Sequence, residues 1–144
     1  MKLVLQRVKQ ASVTIDGLLY SSINQGILIL ICIEKGDTEA DIEKYADKVS
    51  KLRIFSDENG KMNLSVTDIN GEILVVSQFT LAGDCRKGTR PSFDKSAAPD
   101  IAKSMYEDFV AGLLAKGLSV KTGVFAASMD VALVNDGPVT FILG

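Results

Sequence analysis

Histidine is missing from all 144 residues, and so is tryptophan. The first absence removes the side chain that titrates nearest neutrality, and with it the commonest general base, the Ser-His-Asp triad and most transition-metal sites. Cysteine is scarce: Cys32 lies in an apolar run and Cys85 in a polar one, with no CxxC spacing, so neither a disulfide framework nor a zinc site is expected. Cations are not in excess. A net charge of −2 and a pI near 5.1 argue against broad binding of DNA or RNA through many phosphate contacts. The most apolar run, Gly26 to Ile33, falls far short of the roughly 20 residues a helix needs to cross a bilayer. Met1 to Arg7 carries no signal-peptide pattern. The expected compartment is the cytoplasm, with no membrane partner.

What is present describes an ordinary folded protein. The 47% apolar content, 24% charge and three prolines suit one domain over residues 1–144, large enough to bury its own core. Lys2 to Val8 and Ala11 to Ile15 are aliphatic, β-branched runs; Asp16-Gly17 is a hairpin signal before Leu18 to Ile23. Asn24-Gln25-Gly26 is read as a further turn, making the opening a β-meander. The unalternating Ile27 to Ile33 run predicts a strand buried on both faces.

After Gly36, the apolar spacing of Ile42, Tyr45, Ala46, Val49 and Leu52 predicts a helix over about 38–51, capped by Asp37 or Thr38. Lys44, Lys48 and Lys51 are read as its solvated face. Weak strands are expected over Leu52 to Phe55 and Met62 to Val66, and a strong one over Glu72 to Leu81. A second helix is expected over about 100–116, with Ile101, Met105, Phe109 and Leu113 on one face and Gly117 just past its end. Leu118 to Thr122 and a bend at Gly123-Val124-Phe125 follow. Asn135-Asp136-Gly137-Pro138-Val139-Thr140 then separates two β-prone runs, Met129 to Val134 and Val139 to Leu143, and reads as a turn closing a C-terminal hairpin. Two helices among short strands indicate an α+β fold.

Two stretches stand out chemically. Ser77, Gln78 and Thr80 interrupt an apolar strand, so they either hydrogen-bond internally or face a pocket, because an unpaired buried polar group costs about 1 to 3 kcal/mol. With no histidine and no Ser-x-x-Lys motif, these hydroxyls have no evident base. Hydroxyls, an amide and backbone N–H groups at a strand end can still stabilise an oxyanion, provided the substrate supplies the reactive group. The second stretch is the Arg86, Lys87 and Arg90 loop, the densest positive cluster.

Gln6-Arg7-Val8, Arg53-Ile54-Phe55, Ser77-Gln78-Phe79-Thr80-Leu81, Arg90-Pro91-Ser92-Phe93 and Asn135-Asp136-Gly137-Pro138-Val139-Thr140 resemble, in order and across essentially the whole chain, the motifs of D-aminoacyl-tRNA deacylases. The resemblance implies mixed and antiparallel sheets in a barrel-like core with two main helices. It also implies a cytoplasmic homodimer that hydrolyses the ester between a D-amino acid and the 3′-terminal adenosine of tRNA, with no cofactor and no metal. By position, Gly137 and Pro138 form a cis dipeptide that enters the partner subunit's site and rejects L-side chains. Rigid main chain rejects by overlap, which a side-chain-accepting pocket cannot match, and glycine, lacking a side chain, should slip through. Arg7 matches the arginine that orients this dipeptide. Ser77, Gln78, Phe79 and Thr80 match the segment at the scissile ester, with Thr80 as nucleophile or the substrate 2′-hydroxyl assisting. Phe125 and Met129 match the adenosine-binding positions, and both also suit a core. A non-catalytic nucleic-acid or nucleotide-binding module on the same fold is the alternative.

Overall fold

The computed structural model describes every residue from Met1 to Gly144. Its longest strands are β1 (Lys2–Ile15) and β8 (Asp130–Leu143), which pair antiparallel with each other. Along its other edge β1 pairs with β2 (Leu18–Ile23) and β3 (Gly26–Cys32). The pairs Ala11↔Ile23 and Val8↔Gly26 are three residues apart on both strands, so β2 and β3 keep one register. The meander expected here is therefore absent. Asn24-Gln25 bends the strand, and β3 continues β2 in the same direction instead of folding back on it. The Asp16-Gly17 turn does form, with φ of 50° and 76°.

Beyond β3 the sheet continues in parallel through β6 (Glu72–Ser77) to β7 (Ser119–Thr122). Helices α1 (Glu39–Lys51) and α2 (Pro99–Ala115) supply the crossovers. Thr38 caps α1 in a capping box with Asp41, and Gly117, at φ 78°, follows the end of α2. Only Phe55–Ser56 (β4) and Met62–Leu64 (β5) pair in the connection, a smaller ribbon than the sequence suggests.

Alternation along β3 and β6 feeds two cores. Ile27, Ile29, Ile31, Ile73 and Val75 pack with Ile42, Val49, Phe109 and Leu113 of the helices. Leu28, Leu74 and Val76 face the other way, joining Val8, Ala11, Val13 and Ile23. Ile101 is the exception on α2: it is exposed, and Tyr106 takes the buried position instead.

The sheet curls until β2 approaches β7, where Ser21 Oγ donates to the Thr122 carbonyl at 2.8 Å and Lys121 Nζ to the Ser22 carbonyl at 2.7 Å. In the loop from β7 to β8 the Val124 N–H donates to Met129 Sδ at 3.4 Å.

The expected C-terminal hairpin does not exist. Both β-prone runs belong to β8 and lie against β1: Gln10↔Val134 before the Gly-Pro dipeptide and Gln6↔Thr140 after it. Four steps along β1 are matched by six along β8, so the turn signal marks a bulge inside one strand. A side-chain amide lets the chain bulge without reversing. Asn135 Oδ1 accepts the Val139 N–H at 2.7 Å, and its Nδ2 donates to the Val139 carbonyl at 3.3 Å and to Thr140 Oγ1 at 3.1 Å. This amide stands in for the ladder partner that the bulge removes.

Candidate active site

The strand expected to reach Leu81 stops at Ser77, because a 3-10 turn over Phe79–Ala82 takes over after Gln78. Gln78 N–H still donates to the Ile31 carbonyl (2.8 Å), and the turn is then closed by Leu81 N–H to the Gln78 carbonyl (3.2 Å). The amides of Phe79 and Thr80 open the turn, so no carbonyl within it can accept from them. Gln78 Nε2 donates to Thr80 Oγ1. The Thr80 hydroxyl is thus paired with an amide and not with a base.

At the carboxyl ends of β3 and β6 lies a cavity of about 460 Å³. Ser77, Gln78 and Phe79 line it from one side, and Phe125 and Met129 from another. Ligands sit at this end of parallel strands because the connecting loops splay apart there. The sequence places Phe125 some 45 positions from the Ser-Gln-Phe segment, and the curled sheet brings them together. Tyr106 supports Phe125 from below, with ring centroids 5.9 Å apart. The Tyr106 hydroxyl donates to the Val75 carbonyl at 3.0 Å, and burial pushes its pKa up to about 12. Composition and motifs gave no signal for this residue, because a helical tyrosine reads as core.

The lining includes no carboxylate, lysine or arginine. Its one ionisable group is Cys32, whose thiol is pushed up by burial and then by nearby Glu34, and whose Sγ donates weakly to the Phe79 carbonyl. The cavity therefore offers hydroxyls, one amide, backbone groups and apolar surface.

Gly137, Pro138, Arg7 and Thr80 do not line this cavity; Thr80 is exposed in the turn that begins at Phe79. The Gly137–Pro138 peptide is cis and Gly137 has φ 146°. A Cβ there would lie 2.6 Å from Val139 Cγ2, so the bulge excludes other residues. Arg7 reaches from β1 to hold it: Nε donates to the Asp136 carbonyl at 2.9 Å, and Nη1 to the Ile54 carbonyl at 2.8 Å. The Asp136 carboxylate adds an ion pair at 3.6 Å. The Arg86 guanidinium of the basic loop is engaged by Asp84.

Fold and site together define the class: a small α+β protein with a cavity lined by hydroxyls, one amide, backbone groups and apolar side chains. Within that class the match is specific. Residues 4–144 fit the D-Tyr-tRNA(Tyr) deacylase family, and the chain belongs to it. A D-aminoacyl-tRNA deacylase of Thermotoga petrophila is 59% identical over 99% of this chain and 96% of its own length. One of Thermodesulfovibrio yellowstonii is 57% identical over 97% and 96%. A solved structure titled c-Myc DNA Unwinding Element Binding Protein superposes with a TM-score of 0.94 at 42% identity, covering 100% of this chain and 98% of that one. A probable eukaryotic D-amino acid tRNA deacylase shares the fold with a TM-score of 0.87 at 16% identity, covering 99% and 97%.

Proposed function

We propose that this protein hydrolyses the ester joining a D-amino acid to the 3′-terminal adenosine of tRNA, and sheds mischarged glycine by the same route. Water adds to the acyl carbon, the bond to the ribose oxygen breaks, that oxygen takes a proton, and the amino acid leaves as a carboxylate. The observation that carries this reading is a cavity where Phe125 and Met129 face the Ser77-Gln78-Phe79 strand end with no protein base among its lining residues. The adenine stacks against Phe125 and Met129. The Phe79 and Thr80 amides receive the developing oxyanion, a contribution typically worth about 10² to 10³ in rate. The substrate 2′-hydroxyl assists the attacking water, since Thr80 is bonded to Gln78 instead of to a base.

Chiral selection requires a second copy. Gly137 and Pro138 stand outside their own cavity, exposed on β8, whose outer edge has no strand partner. Val134, Phe141 and Ile142 are exposed along the same strand. An unpaired edge with apolar residues is a template for association. In the homodimer the partner's rigid Gly-Pro main chain closes the cavity where an L-side chain would point. The enzyme works in the cytoplasm without metal or cofactor.

The test is release of D-Tyr from D-Tyr-tRNA, with L-Tyr-tRNA spared, in the presence of a chelator. Equal turnover of the two, or none, overturns the assignment. Zero turnover with retained nucleic-acid affinity would favour the binding-module alternative, in keeping with the DNA unwinding element binding named for the 42% identical relative. Thr80→Ala should keep kcat within about threefold, far from the loss that follows removal of a nucleophile.

A further inference from the structure

Two phenylalanines stand in solvent at the mouth of the cavity. Phe79 is 56% exposed and Phe93 37% exposed, with ring centroids 5.1 Å apart at 64°. Such apolar area is costly unless something covers it, and this pair is held deliberately. Asp84 and Ser92 exchange backbone hydrogen bonds at 2.8 and 3.0 Å, clamping the ends of the basic loop so that Phe93 emerges beside the turn bearing Phe79. Gly83 makes room: a Cβ there would lie 2.9 Å from the Thr80 carbonyl and 3.2 Å from Phe93 Cε1.

The surroundings indicate what covers the pair. In a chain of net charge −2, the segment 84–95 holds four Lys or Arg against two Asp. Arg86 is bound to Asp84, which leaves Lys87, Arg90 and Lys95 as exposed cations. Exposed aromatic faces interleaved with cations, continuous through Phe79 with a pocket for one nucleoside, suit the next nucleotide of a single strand.

We propose that Phe79 and Phe93 form a stacking platform for the base immediately 5′ of the terminal adenosine, with Lys87, Arg90 and Lys95 facing its phosphate. This rests on the adenosine reading of the cavity. Stacking on an aromatic is worth about 1 to 3 kcal/mol per base and tolerates any base, as required of a subsite shared by all tRNAs.

The experiment compares adenosine with the dinucleotide cytidylyl-(3′→5′)-adenosine, titrated by NMR against the intact protein. The dinucleotide should bind about tenfold more tightly to wild type, the equivalent of roughly 1.4 kcal/mol. Phe93→Ala should abolish that preference while leaving adenosine affinity unchanged, and Phe93→Tyr should restore it. Equal wild-type affinities, a preference that survives Phe93→Ala, or equal loss of both ligands would overturn the proposal. So would Phe93→Ala converting a dimer to monomers, because a second copy would then be what covers the rings. Failure of the deacylase reading is seen separately, as no turnover of D-Tyr-tRNA with the dinucleotide preference intact.

Discussion

Strands β1 and β8 are each 14 residues long and lie against each other, yet they have opposite characters. β1 is paired along both edges and carries Leu3, Leu5, Val8 and Val13 into the cores with no exposure. β8 is paired along one edge, and of its residues only Val139 is buried. Against β8, β1 takes up one extra residue between Val8 and Gln10, whereas β8 takes up three between Asn135 and Thr140, because an edge strand can bulge and needs only local compensation. The irregular, outward-facing element is therefore carried by β8. β1 supplies the rigid support, and Arg7 is where support and irregularity meet.

Breaking the supporting strand should have the largest effect. Leu5→Ala removes a fully buried side chain and should cost about 2 to 5 kcal/mol by chemical denaturation, with kcat of the folded protein little changed. Arg7→Ala comes next. It leaves the Ile54 and Asp136 carbonyls without their donor, costing about 1.5 to 3 kcal/mol, and it frees the bulge, so turnover of L-Tyr-tRNA relative to D-Tyr-tRNA should rise at least tenfold. A variant that lost stability and kept full chiral discrimination would separate the two strands' roles.

Asn135→Ala should cost about 1 to 2 kcal/mol, because the Val139 amide loses its partner. Its loss of discrimination should be smaller than that of Arg7→Ala. Ile142→Asp, on the exposed edge, should shift chain stability by only about 0.5 kcal/mol while weakening the proposed homodimer, read by sedimentation against concentration.

Acid offers a final contrast. The carboxyl of Asp41 is held below its ordinary range by the Thr38 backbone N–H, and that of Asp68 by the Ser65 backbone N–H. A depressed carboxylate stabilises the fold fully above about pH 4 and loses that contribution as pH falls through the lower folded value. Tm should accordingly drop below about pH 4. Between about pH 5 and 8, kcat should show no inflection from a protein group, because the Cys32 thiol stays protonated.

Much of this was legible along the chain. The helix boundaries followed from apolar spacing and caps, because those signals are local. Cys32 to Ile33 and Ile27 to Ile31 read as buried for the same reason: an unalternating apolar run has no solvent face. The Asn135 to Thr140 stretch was misread as a hairpin turn because Asn, Gly and Pro mark a departure from regular backbone without stating its direction. Asn24-Gln25 misled in the same way. Whether a strand reverses or continues depends on its pairing with β1, which for the Asn135 stretch lies more than a hundred residues away, and no local residue encodes that.

By itself the sequence determined the absence of a histidine base, the two helices, the buried central strand and the special backbone at Gly137-Pro138. Those properties belong to residue types and their near neighbours. Only the tertiary structure decided that the dipeptide is a bulge held by Arg7 and Asn135, that Tyr106 sits beneath Phe125, and that Phe125 and Met129 share a cavity with Ser77, Gln78 and Phe79. Apart from the local Asn135 bond, those are contacts between distant parts of the chain, made when the sheet curls and packs against its helices.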